Sequence, residues 1–105
     1  MIQAIICRNA EKRIYAFKLM NHGDPMVCAA VSFLVQNTAN SIETFTSEPF
    51  DLDYDPQGGF LRLELPQIKE GQISEKADLL LESMALGLRS LMESYSKDIE
   101  VKESS

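Results

Sequence analysis

The sequence predicts an α/β (α+β) fold: a two-layer sandwich with a mixed sheet of about five short strands and two helices packed on one face. Three observations carry this expectation. Runs of alternating polarity occur as two hairpin-like pairs, two long segments repeat apolar residues every three or four positions, and a last short apolar run completes the order ββαββαβ. With 105 residues, 45% hydrophobic and 25% charged, the chain is expected to form one domain over 1–105 with a thin core.

Ile2 to Arg8 places Ile2, Ala4 and Ile6 on one side and Ile5 and Cys7 on the other, as in a central strand buried on much of both faces. The polar break Asn9-Ala10-Glu11-Lys12 has hairpin length, and Arg13 to Met20 then sets Tyr15, Phe17 and Leu19 on one face. In Asn21-His22-Gly23-Asp24-Pro25, a cluster of helix breakers, Asp-Pro suits an N-cap and first turn. A helix follows to about Glu43, with Val27, Val31, Leu34, Val35, Thr38 and Ile42 along one stripe. Pro49 to Asp55 and Phe60 to Leu65 form a second hairpin around Asp55-Pro56-Gln57-Gly58-Gly59. Gln67 to Ser74 is read as a polar connection, after which Ser74 caps a helix with Leu80, Met84, Gly87, Leu88, Leu91 and Tyr95 in its stripe. Glycine inside a helix costs about 1 kcal/mol against alanine, so Gly87 points to close helix packing. Ile99 to Val101 is expected as an edge strand and residues 102–105 as a frayed tail.

Several function classes are disfavoured. Cys7 and Cys28, with no secretory signal pattern, suit a reducing compartment and hence the cytoplasm. A single His and no Cys-x-x-Cys pair supply too few ligands for zinc, so neither metal nor cofactor is expected. No apolar run approaches the roughly 20 residues that span a bilayer, so no membrane partner is expected. The net charge of −6 is concentrated after residue 42, where six basic groups face fourteen acidic ones. Such a surface repels phosphate backbones, disfavours direct nucleic-acid binding and suits a basic protein partner. A homodimer would be one way to cover an exposed sheet face or edge.

The segment from Asn21 to Ser32 holds the chemistry. His22 and Cys28 bracket five residues, and Cys28 falls in the opening turn of the first helix. Unpaired amides and the positive dipole end of a helix N-terminus stabilise a thiolate, the reactive form of cysteine. The imidazole of His22 can reach back as base and then acid. Gly23 gives the loop freedom, the amides of Cys28 and Ala29 are candidate oxyanion donors, and Ser32 lies one turn beyond Cys28 on the same face. Asp24 caps the helix, although a carboxylate beside a thiolate opposes its ionisation. Spacing alone leaves a plainer account open, in which Cys28 is a small core residue and His22 an ordinary loop residue. Cys7, on a strand of buried pattern, reads as inert packing.

His22, then Cys28-Ala29-Ala30-Val31-Ser32, Gly58-Gly59-Phe60-Leu61 and a leucine-rich helix ending near Tyr95, together resemble the Prp (YsxB-like) ribosomal-processing cysteine protease family over nearly the whole chain. The resemblance implies a bacterial thiol protease that removes an N-terminal extension from a large-subunit ribosomal protein. It assigns Cys28 as nucleophile and His22 as base, and matches Ser32 to a family serine near the site. Asn21 stands where the family has Gly and Gly23 where it has Ala, and the loop before Cys28 is shorter than in many members. A divergent member that keeps the fold and binds peptide without turnover is the alternative.

Overall fold

The alternating and helical periodicities resolve into eight elements in the computed structural model, which describes residues 1–104. These are β1 (Ile2–Arg8), β2 (Ile14–Met20), α1 (Pro25–Phe45), β3 (Asp51–Tyr54), β4 (Phe60–Glu64), α2 (Pro66–Lys69), α3 (Glu75–Ser94) and β5 (Ile99–Ser104). The strands form one open sheet in the order β3-β4-β2-β1-β5, with β1 and β5 parallel and the other neighbours antiparallel. The mixed sheet of five strands is thus as expected.

Register decides which face carries the core. Ala4 pairs with Leu19 and Ile6 with Phe17, while Leu19 and Phe17 pair in turn with Leu61 and Leu63. Residues opposite one another share a face, so these side chains form one apolar surface. Val27, Val31, Val35 and Ile42 of α1 and Ala77, Leu81, Met84 and Leu88 of α3 join them in a single buried cluster. Ile5 and Cys7 point to the other face and are only half-buried, because both long helices cover the Ile2, Ala4 and Ile6 side.

Asp24 caps α1, its carboxylate accepting from the Met26 amide at 2.9 Å, and Pro25 opens the first turn. Thr38, buried within the stripe of α1, is satisfied by donating to the Leu34 carbonyl at 2.8 Å. Ser74 caps α3, accepting from the Ala77 amide at 3.3 Å. The buried line of α3 is rotated from the expected stripe: Ala77, Leu81, Met84, Ala85 and Leu88 are buried, Leu80 and Leu91 half-buried, and Tyr95 is an exposed C-cap. The two helices meet where Gly87 faces Leu34, as a Cβ on Gly87 would lie 2.8 Å from Leu34 Cδ2.

Two expectations need correction. The connection after β4 contains the one-turn helix α2, whose Ile68 is fully buried and whose Ile68 carbonyl accepts from Asn9 Nδ2 at 2.8 Å. A single apolar residue between Gln67 and Lys69 carries no periodicity, so contact with the core defines this turn. Residues 102–104, expected to fray, belong to β5, with Lys102, Glu103 and Ser104 paired to Ile5, Ile6 and Cys7. The parallel ladder holds their backbone, and Glu103 is further tied by Arg8 Nε at 2.5 Å. Ser105, the rest of that expected tail, lies outside the described residues.

Candidate active site

The site is built where β2 ends and α1 begins. Asn21 adopts φ 71°, a left-handed conformation that asparagine tolerates better than most residues, and its amide donates to the Gly59 carbonyl at 2.9 Å. The chain reverses there and presents His22 at the surface. Gly23 follows with a role other than flexibility. A Cβ on it would lie 2.8 Å from the Asp98 carbonyl oxygen and 3.4 Å from Ile2 Cγ1, so glycine lets the loop lie against the start of β1 and the turn before β5.

Cys28 is half-buried in the first turn of α1. The Gly23 amide donates to its Sγ at 3.3 Å, and the thiol lies 3.7 Å from the Gly23 carbonyl as a donor. These reciprocal contacts hold the loop onto the sulfur. The amide of Cys28 donates to the Asp24 carbonyl at 2.9 Å, so it is already committed to the helix, and Ala29 follows inside the regular ladder. The expected pair of oxyanion donors is therefore not free, because the helix begins early enough to use both amides.

A cleft of about 660 Å³ opens beside the sulfur. His22, Cys28 and Ser32 line it, whereas Asp24 and Ala29 do not: Asp24 is occupied as a cap, and Ala29 is exposed away from the cleft. One wall is α1, where Ser32, Gln36 and Asn40 follow Cys28 at four-residue intervals beside Val31 and Val35. The other is the β3–β4 hairpin, with Leu52, Tyr54, Asp55 and Phe60, above Leu19 and Leu61 of the sheet. Spacing from Cys28 was a signal for Gln36 and Asn40. For the hairpin wall, which is distant in sequence and arrives by strand pairing, only Phe60 was signalled, as part of the run Gly58-Gly59-Phe60-Leu61. Among the described residues no three His, Cys, Asp or Glu side chains gather into a metal-ligand set, and no helix is long and apolar enough to cross a membrane.

Residues 1–100 match the family model described as cysteine protease Prp. The chain belongs to the Prp family. Among relatives, the ribosomal processing cysteine protease Prp of Bacillus subtilis (strain 168) is 32% identical over 108 aligned positions, covering 96% of each chain. The protein of the same description from Staphylococcus aureus (strain Mu50 / ATCC 700699) is 29% identical over 80 positions, covering 76% of this chain and 72% of that one. The crystal structure of S. aureus Prp with a covalently linked product peptide superposes with a TM-score of 0.90 at 26% identity, covering 99% of this chain and all of the other (100%). The S. aureus Prp complex with a substrate peptide gives 0.84 at 25% identity, with the same coverage. The Prp likeness thus extends over the sheet and both walls of the cleft.

Proposed function

We propose that this chain is a cytoplasmic cysteine endopeptidase that removes an N-terminal extension from a large-subunit ribosomal protein, with Cys28 as nucleophile and His22 as base and then acid. The observation that carries the assignment is that the half-buried Cys28, in the first turn of α1, and the exposed imidazole of His22 line one cleft. Membership of a cysteine protease family, with relatives solved as peptide complexes, supports it. The catalytic unit in this reading is the whole chain, acting as one domain.

His22 takes the thiol proton and the sulfur bonds to the scissile carbonyl carbon. The tetrahedral intermediate collapses with cleavage of the C–N bond, and His22 returns the proton to the departing amine. Water then attacks the thioester, His22 again acting as base, and the acid product leaves with the thiol restored. The Gly23 amide at 3.3 Å steadies the thiolate between these steps. Ser32, Gln36 and Asn40 offer polar contacts along α1, while Leu52, Tyr54 and Phe60 offer apolar ones to substrate side chains. The acidic surface suits a basic ribosomal substrate and disfavours direct contact with nucleic acid.

One observation favours a second reading, a noncatalytic peptide-binding module: the thiol's recorded hydrogen-bond acceptor is the Gly23 carbonyl. Incubation with an extended ribosomal-protein peptide under reducing conditions decides between them. Cleavage is expected, and Cys28→Ser is expected to abolish it. Binding without cleavage would establish the module instead, and cleavage that survives Cys28→Ser would remove Cys28 from the mechanism.

A further inference from the structure

We propose that the Gly58-Gly59 turn of the β3–β4 hairpin is the seat on which the His22 ring rests, which makes these glycines positioning residues for the dyad. This rests on the protease reading. A Cβ on Gly59 would lie 3.0 Å from His22 Nε2, and one on Gly58 would lie 3.2 Å from His22 Cε1. Both separations are too short for an unstrained carbon contact, so any side chain at either position must push the ring or the turn aside. The imidazole therefore lies with its Nε2–Cε1 edge over bare backbone.

The turn has little freedom to yield. The Asn21 amide donates to the Gly59 carbonyl at 2.9 Å, and Met20 and Phe60 close the β2–β4 ladder directly beside it. Within the turn, the Gly58 amide donates to the Asp55 carbonyl at 2.9 Å, and the Gln57 amide to Asp55 Oδ1 at 2.9 Å. The seat and the residue preceding the imidazole are thus joined by backbone, while His22 itself is exposed. An exposed base depends on the surface beneath its ring for its aim at the sulfur. A Cβ at 3.0 to 3.2 Å makes the ring or the turn give by a few tenths of an ångström, and since displacement of a reacting group by about 1 Å can cost about 100-fold in rate, the loss here is expected to be several-fold.

Gly58 and Gly59 have φ 89° and 87°, so alanine at either position also strains the backbone. The chain supplies a control for that strain. Gly71 has φ 103° with nothing within 4 Å of its would-be Cβ, so Gly71→Ala carries a comparable backbone penalty without touching a ring.

The experiment compares Gly59→Ala with Gly71→Ala in the full chain, measuring kcat and KM on the extended ribosomal-protein peptide. It also follows the imidazole Cε1 proton by NMR, which belongs to His22 because the chain has one histidine. Gly59→Ala is expected to lower kcat by about 3- to 10-fold with KM changed less than about twofold, and to move the His22 resonance. Gly71→Ala is expected to leave both within about twofold of the starting protein. If Gly59→Ala does not fold, Gly58→Ala is judged by the same measurements. The proposal is overturned if the seat variant matches Gly71→Ala in kcat and in the His22 signal, or if its loss lies in KM alone. Failure of the unsubstituted protein to cleave would overturn the protease reading instead, and the NMR comparison would still decide whether the glycines seat the ring.

Discussion

Glu48 sits at a point where burial and charge disagree. Burial, reinforced by the carboxylate of Asp78, pushes its carboxyl above the ordinary value of 4.5, and its Oε2 is buried without a partner. Asp78 itself is engaged by Arg13 and has an unpartnered Oδ1, whereas no cation pairs with Glu48 among the described residues. A carboxyl raised in the folded state favours folding while protonated and loses that contribution as pH rises through its folded value. Glu48→Gln is therefore expected to stabilise the protein at neutral pH, with the gain shrinking as pH falls toward 4.5. Urea midpoints at the two pH values measure this, and an equal or larger gain in acid would contradict the charge explanation. Asp24 shows the reverse economy: one carboxylate caps the Met26 amide, and its backbone carbonyl takes the first helical bond from Cys28.

Among elements, the crossing of α1 and α3 depends on one missing side chain. Glycine in a helix interior costs about 1 kcal/mol against alanine, yet a methyl at Gly87 would meet Leu34 Cδ2 at 2.8 Å and Cδ1 at 3.3 Å. Overpacking typically costs about 1–3 kcal/mol, which exceeds the helical gain. Gly87→Ala is therefore expected to destabilise by up to about 2 kcal/mol, and in a Leu34→Ala background the same change should become neutral or stabilising. A double-mutant cycle by chemical denaturation tests this, and additive effects would exclude the contact.

Across the whole molecule, Arg8 joins three elements. From β1 it donates to Glu82 of α3 at 2.6 Å and to Glu103 of β5 at 2.5 Å, and it also reaches the Lys12 carbonyl at 2.8 Å. The hydrogen bond from Arg8 holds the Glu82 carboxyl below its ordinary value of 4.5, outweighing the effect of burial. A carboxyl depressed in the folded state contributes stability above its unfolded value, and this is lost as pH falls through the folded value. Stability is expected to decline below about pH 4.5, and Glu82→Gln should flatten that decline while lowering stability at neutral pH. Both carboxylates are substantially exposed, so the effect should be small and weaken with salt. Denaturation midpoints against pH at two salt concentrations provide the measure.

Local rules were enough for much of this molecule. The two hairpins, the Asp24 and Ser74 caps, the span of α1 and the placing of Cys28 in its first turn all follow from alternation, helical repeat and capping chemistry, which act within a few residues. Gly87 was legible as a packing site because an uncompensated helix glycine needs a reason. Long-range contacts decided the rest. α2 exists because Ile68 finds the core, and residues 102–104 are strand because β1 holds them in a parallel ladder. The fold class expected at the outset stands, with a third short helix and a longer last strand. The working pair acquires its surroundings only when β4 pairs with β2, since that pairing carries Gly58 and Gly59 to the imidazole and Leu52 and Tyr54 to the cleft. No short-range pattern records an approach between residues more than thirty positions apart.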